Sequence, residues 1–479
     1  MSRGDRRDRA ADMTGLAAAL RAFVGADAVL DKAEDIAGYR GDLACPTGGD
    51  ILCVVRPRTT QETAVVVKAC AAAGVSLAPR GGGTGLAGGA TPEPGRSSVV
   101  ISFERMRQIR SIDPIGNVMV VEAGCTLHAA QQAAADAGRF LGLDHGAASS
   151  QIGGNLSTNA GGNNVLRYGM ARDQVLGLEV VLADGRVISR LMPLRKNNAG
   201  YDLKQVFLGS EGTLGLITAA ALHLRPAAVV SATACIGAAS LEAVLEFFVL
   251  ARRTLGEAIS AFEIMPREGL EFHFAHIGKR REPFEARTPW IVLVEADSAS
   301  AYFNLAEAFE ALLATAIENG MVVDGTIAAT QAQRQALWSL REGIAVAMVE
   351  APGSLKSDTA VPVAAIAEFV AQARVSVDDV VPGCIPVPFG HVGDGNIHFN
   401  VLPPVGMSSA DFSAKWSDLA RAIEDVALSL GGTISAEHGI GLVKRVALKR
   451  ALSSTELDVM RTLKLVFDPG NILNPGKIL

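Results

Sequence analysis

Residues 75–89 read VSLAPRGGGTGLAGG: an apolar run, then Arg80, Gly81, Gly82, Gly83, Thr84, Gly85 and Leu86, and two more glycines at Gly88 and Gly89. Five of the six positions from 81 are Gly or Thr. Backbone N–H groups can therefore converge with no side chains in the way, and such a concavity suits an anion of the diphosphate kind. The run contains a literal GxGxxG at Gly83, Gly85 and Gly88, a pattern that is weak evidence by itself. Thr91-Pro92-Glu93-Pro94-Gly95 follows where a doubly wound nucleotide fold would continue its phosphate-facing helix, and proline stops a helix there. The loop predicts a diphosphate site in a different α+β fold.

Outward from this loop, ILCVVRP (51–57), the Ala- and Val-rich stretch 59–74 and VSLAP make a βαβ opening. Its helix is expected to start at Thr60, with Glu62 and Thr63 near, and to stop at Gly74. Further strands are predicted at SVVISF (98–103), VMVVEAG (118–124), LEVVLADG (178–185) and GLITAAALHLRP (215–226), with Asp184-Gly185 turning a hairpin. After Pro226 the texture changes to helices at 241–255, 300–320 and 331–350, with strands at IVLVEAD and GCIPVPFGHVGDGNIHFNVLPP. This pattern predicts an antiparallel sheet covered by helices. The expected division is a mobile tail over 1–14, a cofactor domain over 15–226, a substrate or cap domain over 227–425, and a segment over 426–479 that returns to the first domain.

Two more stretches share the character of the first loop. One runs from Gly146 through Gly153, Gly154, Ser157, Thr158, Asn159, Gly161 and Gly162; the other, LGSEGTLGLIT, carries Glu211, Gly212, Gly215 and Ile217. Small residues allow close backbone approach, and hydroxyl and amide groups supply hydrogen bonds to a ring or ribityl chain. Three such loops in one domain predict a large, nucleotide-bearing cofactor. RGGGTGL, GGNLSTNAGG with Arg167-Tyr168-Gly169, and FLGSEGTLGLIT together resemble the FAD domain of the vanillyl-alcohol oxidase superfamily. Within it the chain is most similar to the FAD-linked D-2-hydroxy acid dehydrogenases, from about residue 40 onward. The resemblance implies an α+β fold with a two-part FAD domain, the diphosphate on the first loop, and the other loops, with Tyr168 and Asn474, around the rest of the cofactor. No His lies in 80–89, so the FAD is expected to be non-covalent.

GHVGDGNIHFN (390–400) reads as two strands around Asp394-Gly395. A two-residue turn there would set 393 against 396, 392 against 397 and 391 against 398, on which geometry both imidazoles share a face at about 4.5–5.5 Å between Cβ atoms. That spacing suits one divalent ion, and Asn400 shares the face. By resemblance, this stretch and SAEHGIG imply His391, His398 and Glu437 as metal ligands and His438 as general base. Two His and one carboxylate favour Zn²⁺, with Mn²⁺ and Fe²⁺ as alternatives. LREG and KSDTAVP likewise match the family's substrate elements, implying Arg341 and Lys356, with Asn400 and His438, as substrate-binding groups. Members that act on D-2-hydroxyglutarate carry a hydroxyl residue one turn after this Arg; here the position is Ala345. The implied reaction is oxidation of a D-2-hydroxy acid, D-2-hydroxyglutarate before D-lactate or D-malate. The acceptor would be an electron-transfer flavoprotein or quinone-linked carrier. The alternatives are an oxygen-using oxidase, which would share the motifs, and a non-redox flavoprotein, which would share the fold.

At 479 residues, two or three domains are expected. A formal charge of −6 gives no general attraction for nucleic acid or an anionic membrane. The six cysteines lie far apart without a CxxC pair, which predicts free thiols and a cytoplasmic setting. No apolar run reaches the ~20 residues of a membrane span, and a homodimer is compatible with this reading.

Overall fold

A computed structural model describes residues 15–279 and 281–479; the tail expected over 1–14 lies outside the described residues. The chain forms two compact units: residues to Gly162, Gly169–Ala227 and Glu437–Leu479 make the first, and Asn163–Tyr168 with Ala228–Ala436 the second.

The first unit holds two sheets. In one, β1 (Val29–Leu30) pairs antiparallel with β2 (Ile51–Val55), β4 (Ser98–Ser102) lies parallel to β2, and β3 (Ser76–Arg80) lies parallel to β4. SVVIS is buried at every position, as befits an inner strand of a parallel sheet. Helix α1 (Thr60–Ala72) makes the crossover. Its cap is Thr59, one residue before the expected start: the Thr59 hydroxyl accepts from the Glu62 amide, which only a residue outside the helix can do. Gly74 follows the helix at φ 62°. The second sheet is antiparallel in the order β5 (Ile109–Asp113), β6 (Val118–Glu122), β9 (Leu216–His223), β7 (Val175–Val181), β8 (Val187–Arg190). The turn between β7 and β8 carries Gly185 at φ 76°, as its Asp-Gly dipeptide predicts. The C-terminal segment belongs to this unit: Leu77 donates to Ile472 O at 2.7 Å and Asn474 to Leu77 O at 2.8 Å.

The second unit is a seven-stranded antiparallel sheet in the order β13 (Asp324–Ile327), β10 (Val230–Ala238), β12 (Trp290–Ser298), β11 (Ile259–Pro266), β15 (Ile385–His391), β16 (Asn396–Leu402), β14 (Thr359–Ala360). Strand parity divides its side chains between two cores. Phe262, Ile264, Val292 and Val294 pack under α2 (Leu241–Leu255), the helix Leu305–Glu318 and the helix Ile366–Val380. Met265, Leu293, Val387 and Phe389 pack on the other face under α3 (Arg267–Ile277) and α4 (Gln331–Glu350). The second face also carries Glu263, His391 and His398. This unit extends to Ala436, past the expected limit of 425, because Ile423 and Ala427 of the helix Trp416–Ser429 are part of its core.

All six cysteines are free. No helix among the described residues is long and apolar enough to cross a membrane.

Candidate active site

In the first unit the three glycine stretches meet backbone to backbone. A Cβ on Gly81 would lie 3.7 Å from Gly154 Cα, and one on Gly82 would lie 2.6 Å from the Ser149 carbonyl oxygen. The third stretch meets the second through its amides, Gly209 donating to Leu156 O at 3.0 Å and Glu211 to Ser157 O at 2.8 Å, and a Cβ on Gly212, at φ 72°, would lie 2.7 Å from the Pro79 ring of β3. Asn474 ties the ensemble, its Nδ2 donating to Gly89 O at 2.9 Å and to Glu211 O at 2.7 Å. Gln151, within the second stretch, has a buried Oε1 without a hydrogen-bond partner among the described residues, 3.8 Å from the Cβ position of Gly81. A cradle lined by glycine backbone and an unsatisfied buried amide fits a dinucleotide-type cofactor.

Several of the expected cofactor residues prove to shape this cradle with their side chains. Arg80 donates to the carbonyls of Gly38 and Gly41 and sits over Tyr39. The hydroxyls of Ser157 and Thr158 return to the carbonyls of Gly153 and Gly154. Asn159, at φ 51°, accepts from the Arg172 amide. The side chain of Ile217 is core, and Gly215 abuts Val180 and Phe207. Glu211 accepts from the amides of Ile440 at 2.7 Å and Gly441 at 2.8 Å, one on each oxygen. Burial pushes its carboxyl up from the ordinary value, more than these bonds and Lys477 lower it. Leu86 is largely exposed, Thr84 and Gly85 half-buried, and Gly146 stands at φ 30° with open space beside it. Tyr168 lies in the second unit, under the Arg167 guanidinium. Gly162, at φ 122°, donates its amide to Glu437 Oε1 at 2.7 Å, and a Cβ on Gly161 would meet the same oxygen. Glu437 and the half-buried His438 thus open the last segment of the first unit.

In the second unit the register of the β15/β16 hairpin differs from the two-residue turn. His391 pairs with Asn396 and Phe389 with His398. Val392–Asp394 form a 3₁₀ turn, and Gly395 alone is left-handed, at φ 84°. A type I′ turn needs both central residues at positive φ, and Asp394 is not among the residues that adopt it. The connection is two residues longer, and a shift of two keeps strand parity, so His391 and His398 still share a face as diagonal neighbours. Their ring centroids are 5.6 Å apart and their ligand-capable atoms within 4.8 Å.

Two acids missing from the expectations organise this face. Glu263 of β11 lies opposite His391; its Oε1 is 2.6 Å from His391 Nδ1 and its Oε2 accepts from Arg341 Nε at 2.7 Å. Burial alone would push its carboxyl up; the charges of His391 and Arg341 and their hydrogen bonds hold it well below the ordinary value. Asp358, 1% exposed, accepts from Asn396 Nδ2, the Ser435 hydroxyl and the Ala436 amide, and its carboxylate lies within 4.8 Å of a His398 nitrogen. The legible signal for Glu263 was a lone acid in the apolar run ISAFEIMP; for Asp358 there was only its place beside Lys356. Asn400 accepts from the Ser357 amide at 3.0 Å, which fastens the strap carrying Lys356. Lys356 is exposed, has no ion-pair partner among the described residues, and partial burial lowers its pKa.

A second acid beneath α4, Glu295, accepts two bonds from Arg334, one from Trp338 Nε1 at 2.8 Å and one from Thr233 at 2.7 Å. Burial raises its carboxyl and these partners overcome that, so its pKa is lowered. Stability from this pair is therefore present above the unfolded carboxylate pKa and lost as pH falls through the folded value. Arg334→Met is expected to destabilise the unit by about 3 kcal/mol, the low end for a broken buried pair because Arg334 is a third exposed. Calorimetry at pH 7 and pH 4 should show the deficit narrowing at the lower pH.

A glycine-lined cofactor cradle in one unit and a helix-covered antiparallel sheet in the other define a flavoprotein oxidoreductase of the vanillyl-alcohol oxidase type. The profile of the FAD linked oxidases, C-terminal domain, matches residues 228–478, and that of the FAD binding domain residues 51–190. The chain is 38% identical over 427 residues to D-2-hydroxyglutarate dehydrogenase, mitochondrial, of Bos taurus, covering 89% of this chain and 76% of the relative. It is 37% identical over 431 residues to D-2-hydroxyglutarate dehydrogenase of Xanthomonas citri pv. viticola, covering 89% of each. Among solved structures, p-cresol methylhydroxylase with substrate bound superposes with a TM-score of 0.78 at 17% identity, over 98% of this chain and 97% of that one. The chain belongs to the FAD-linked D-2-hydroxy acid dehydrogenases.

Proposed function

We propose that this protein oxidises D-2-hydroxyglutarate to the 2-oxo acid, with a divalent metal held by His391, His398 and Glu437. The observation that carries the reading is the His391/His398 pair with Glu263 behind it, because a ligand His backed by a carboxylate is the usual second shell of a metal site. Relatives named D-2-hydroxyglutarate dehydrogenase support the substrate. With Nδ1 holding its proton against Glu263, His391 presents its lone pair on Nε2. Bound FAD, held without a covalent link, supplies a hydride acceptor at N5. A bound Zn²⁺ supplies Lewis acidity toward the 2-hydroxyl and its neighbouring carboxylate.

The chain's own groups do the rest. His438 takes the hydroxyl proton as the C2 hydrogen leaves with its electron pair, so the substrate loses two electrons and two protons in all. Arg341 and Lys356 bind carboxylate, Arg341 through the guanidinium edge not given to Glu263. Asn400 holds the Lys356 strap in place. Electrons then pass to an electron-transfer flavoprotein or quinone-linked carrier. Ala345, one turn after Arg341 and packed on the core of Met265, Leu293 and Phe389, brings no hydroxyl to a distal carboxylate; the second substrates are D-lactate, which has no distal carboxylate, and then D-malate.

Anaerobic flavin bleaching with these three acids, repeated after chelation, tests the reading. D-2-hydroxyglutarate is expected to give the largest rate, and chelation to abolish it while the FAD spectrum stays and zinc restores it. Unchanged rates after chelation would refute the metal's part, and bleaching by none of the acids would refute the whole.

A further inference from the structure

Glu263 stands in a strand whose other members are apolar or small, 1% exposed, and its carboxylate is divided between two partners distant in sequence. Oε1 meets His391 Nδ1 at 2.6 Å, and Oε2 meets Arg341 Nε at 2.7 Å. The cross-strand register sets Glu263 opposite His391, and Arg341 comes down on it from α4 with its guanidinium over the Phe389 ring at 4.9 Å. For stability alone an apolar residue would serve as well, since a buried ion pair often gains nothing over one. Glu295, the other buried acid under α4, meets Arg334, Trp338 and Thr233 in the contacts seen, with no candidate ligand among them. Glu263 differs in joining a candidate metal ligand to a candidate substrate anchor.

We infer that Glu263 is a positioning residue that sets the tautomer and ring orientation of His391 and, through its second oxygen, the aim of the Arg341 guanidinium, so that metal loading and carboxylate binding depend on one group. The inference rests on the metal and substrate reading above. A carboxylate on Nδ1–H fixes the ring and raises the basicity of Nε2. A guanidinium held at Nε loses rotational freedom, and its outer nitrogens are presented in a fixed plane. Removing the carboxylate must weaken both functions together, which a merely space-filling residue would not do.

The test is Glu263→Gln in the FAD-loaded enzyme, alone and with Arg341→Met. In the single variant the free Zn²⁺ needed for half-loading, read by mass spectrometry after dialysis against buffered zinc, is expected to rise about 10- to 100-fold. The KM for D-2-hydroxyglutarate should rise on the order of tenfold, with the FAD-to-protein ratio unchanged. In the Arg341→Met background the KM effect of Glu263→Gln should vanish while the zinc effect persists. Glu263→Asp, which keeps the charge but retracts it, should fold normally and show both losses at smaller size. Unchanged zinc loading and KM in either Glu263 variant, or an undiminished KM effect beside Arg341→Met, overturns the inference. If wild-type turnover is indifferent to zinc, the underlying reading fails; if wild type needs zinc and the variants load it normally, only the role of Glu263 fails.

Discussion

His438→Asn is expected to lower the rate of flavin reduction by about 10²- to 10⁴-fold, the usual contribution of a positioned general base. The surroundings of His438 are built to hold a side chain still. Gly439 follows at φ 77°, and the next two amides, Ile440 and Gly441, are bound by the two oxygens of buried Glu211. Those bonds use backbone groups, so Asn leaves them intact. The loss should fall on the chemical step, with FAD content, zinc content and melting temperature close to wild type. Anaerobic stopped-flow reduction by D-2-hydroxyglutarate reads it. A rate within about threefold of wild type would remove His438 from the role.

Gly82→Val should weaken FAD binding by about 5- to 150-fold, the equivalent of an overpacking cost of ~1–3 kcal/mol. Gly82 is not a left-handed residue, so backbone strain does not enter. The conflict is steric: the first added carbon would lie 2.6 Å from the Ser149 carbonyl oxygen and 3.0 Å from Ser150 Cα, both main-chain atoms that cannot rotate away. One of two glycine stretches must retreat, and the cradle between them opens. Gly15→Ala, outside the three glycine stretches, is the control, since nothing lies within 4 Å of its Cβ position; it should keep its flavin through gel filtration while Gly82→Val loses it. Equal retention by both would show that the close approach at Gly82 does not shape the site.

Where local chemistry suffices, the sequence reads directly. The helices at 241–255 and 331–350 have their expected limits because Ser240 and Thr330 cap them through side-chain bonds to Ala243 and Gln333. The glycine stretches announce a cradle because consecutive glycines have few other uses after a strand. Strand β11 was not legible: Glu263 interrupts an apolar run, and nothing nearby in the chain reveals that the acid is buried and paired. The hairpin was half legible. Asp394-Gly395 marks a reversal, but the 3₁₀ turn over Val392–Asp394 lengthens it, and Gly395 closes against the Val361 carbonyl oxygen, 2.1 Å from its Cβ position, a neighbour that local sequence does not name.

By itself, then, the sequence determined the class of cofactor, the two kinds of sheet and the shared face of His391 and His398, because turn residues, caps and the period-two alternation of a strand act over a few residues. Only the tertiary structure decided that Arg341 and His391 share Glu263 and that Asp358 anchors Ala436. Those contacts join residues 78, 128 and 78 positions apart. At such separations a partner is chosen by packing and register across the whole sheet, and a buried charge takes whichever counter-group that packing brings.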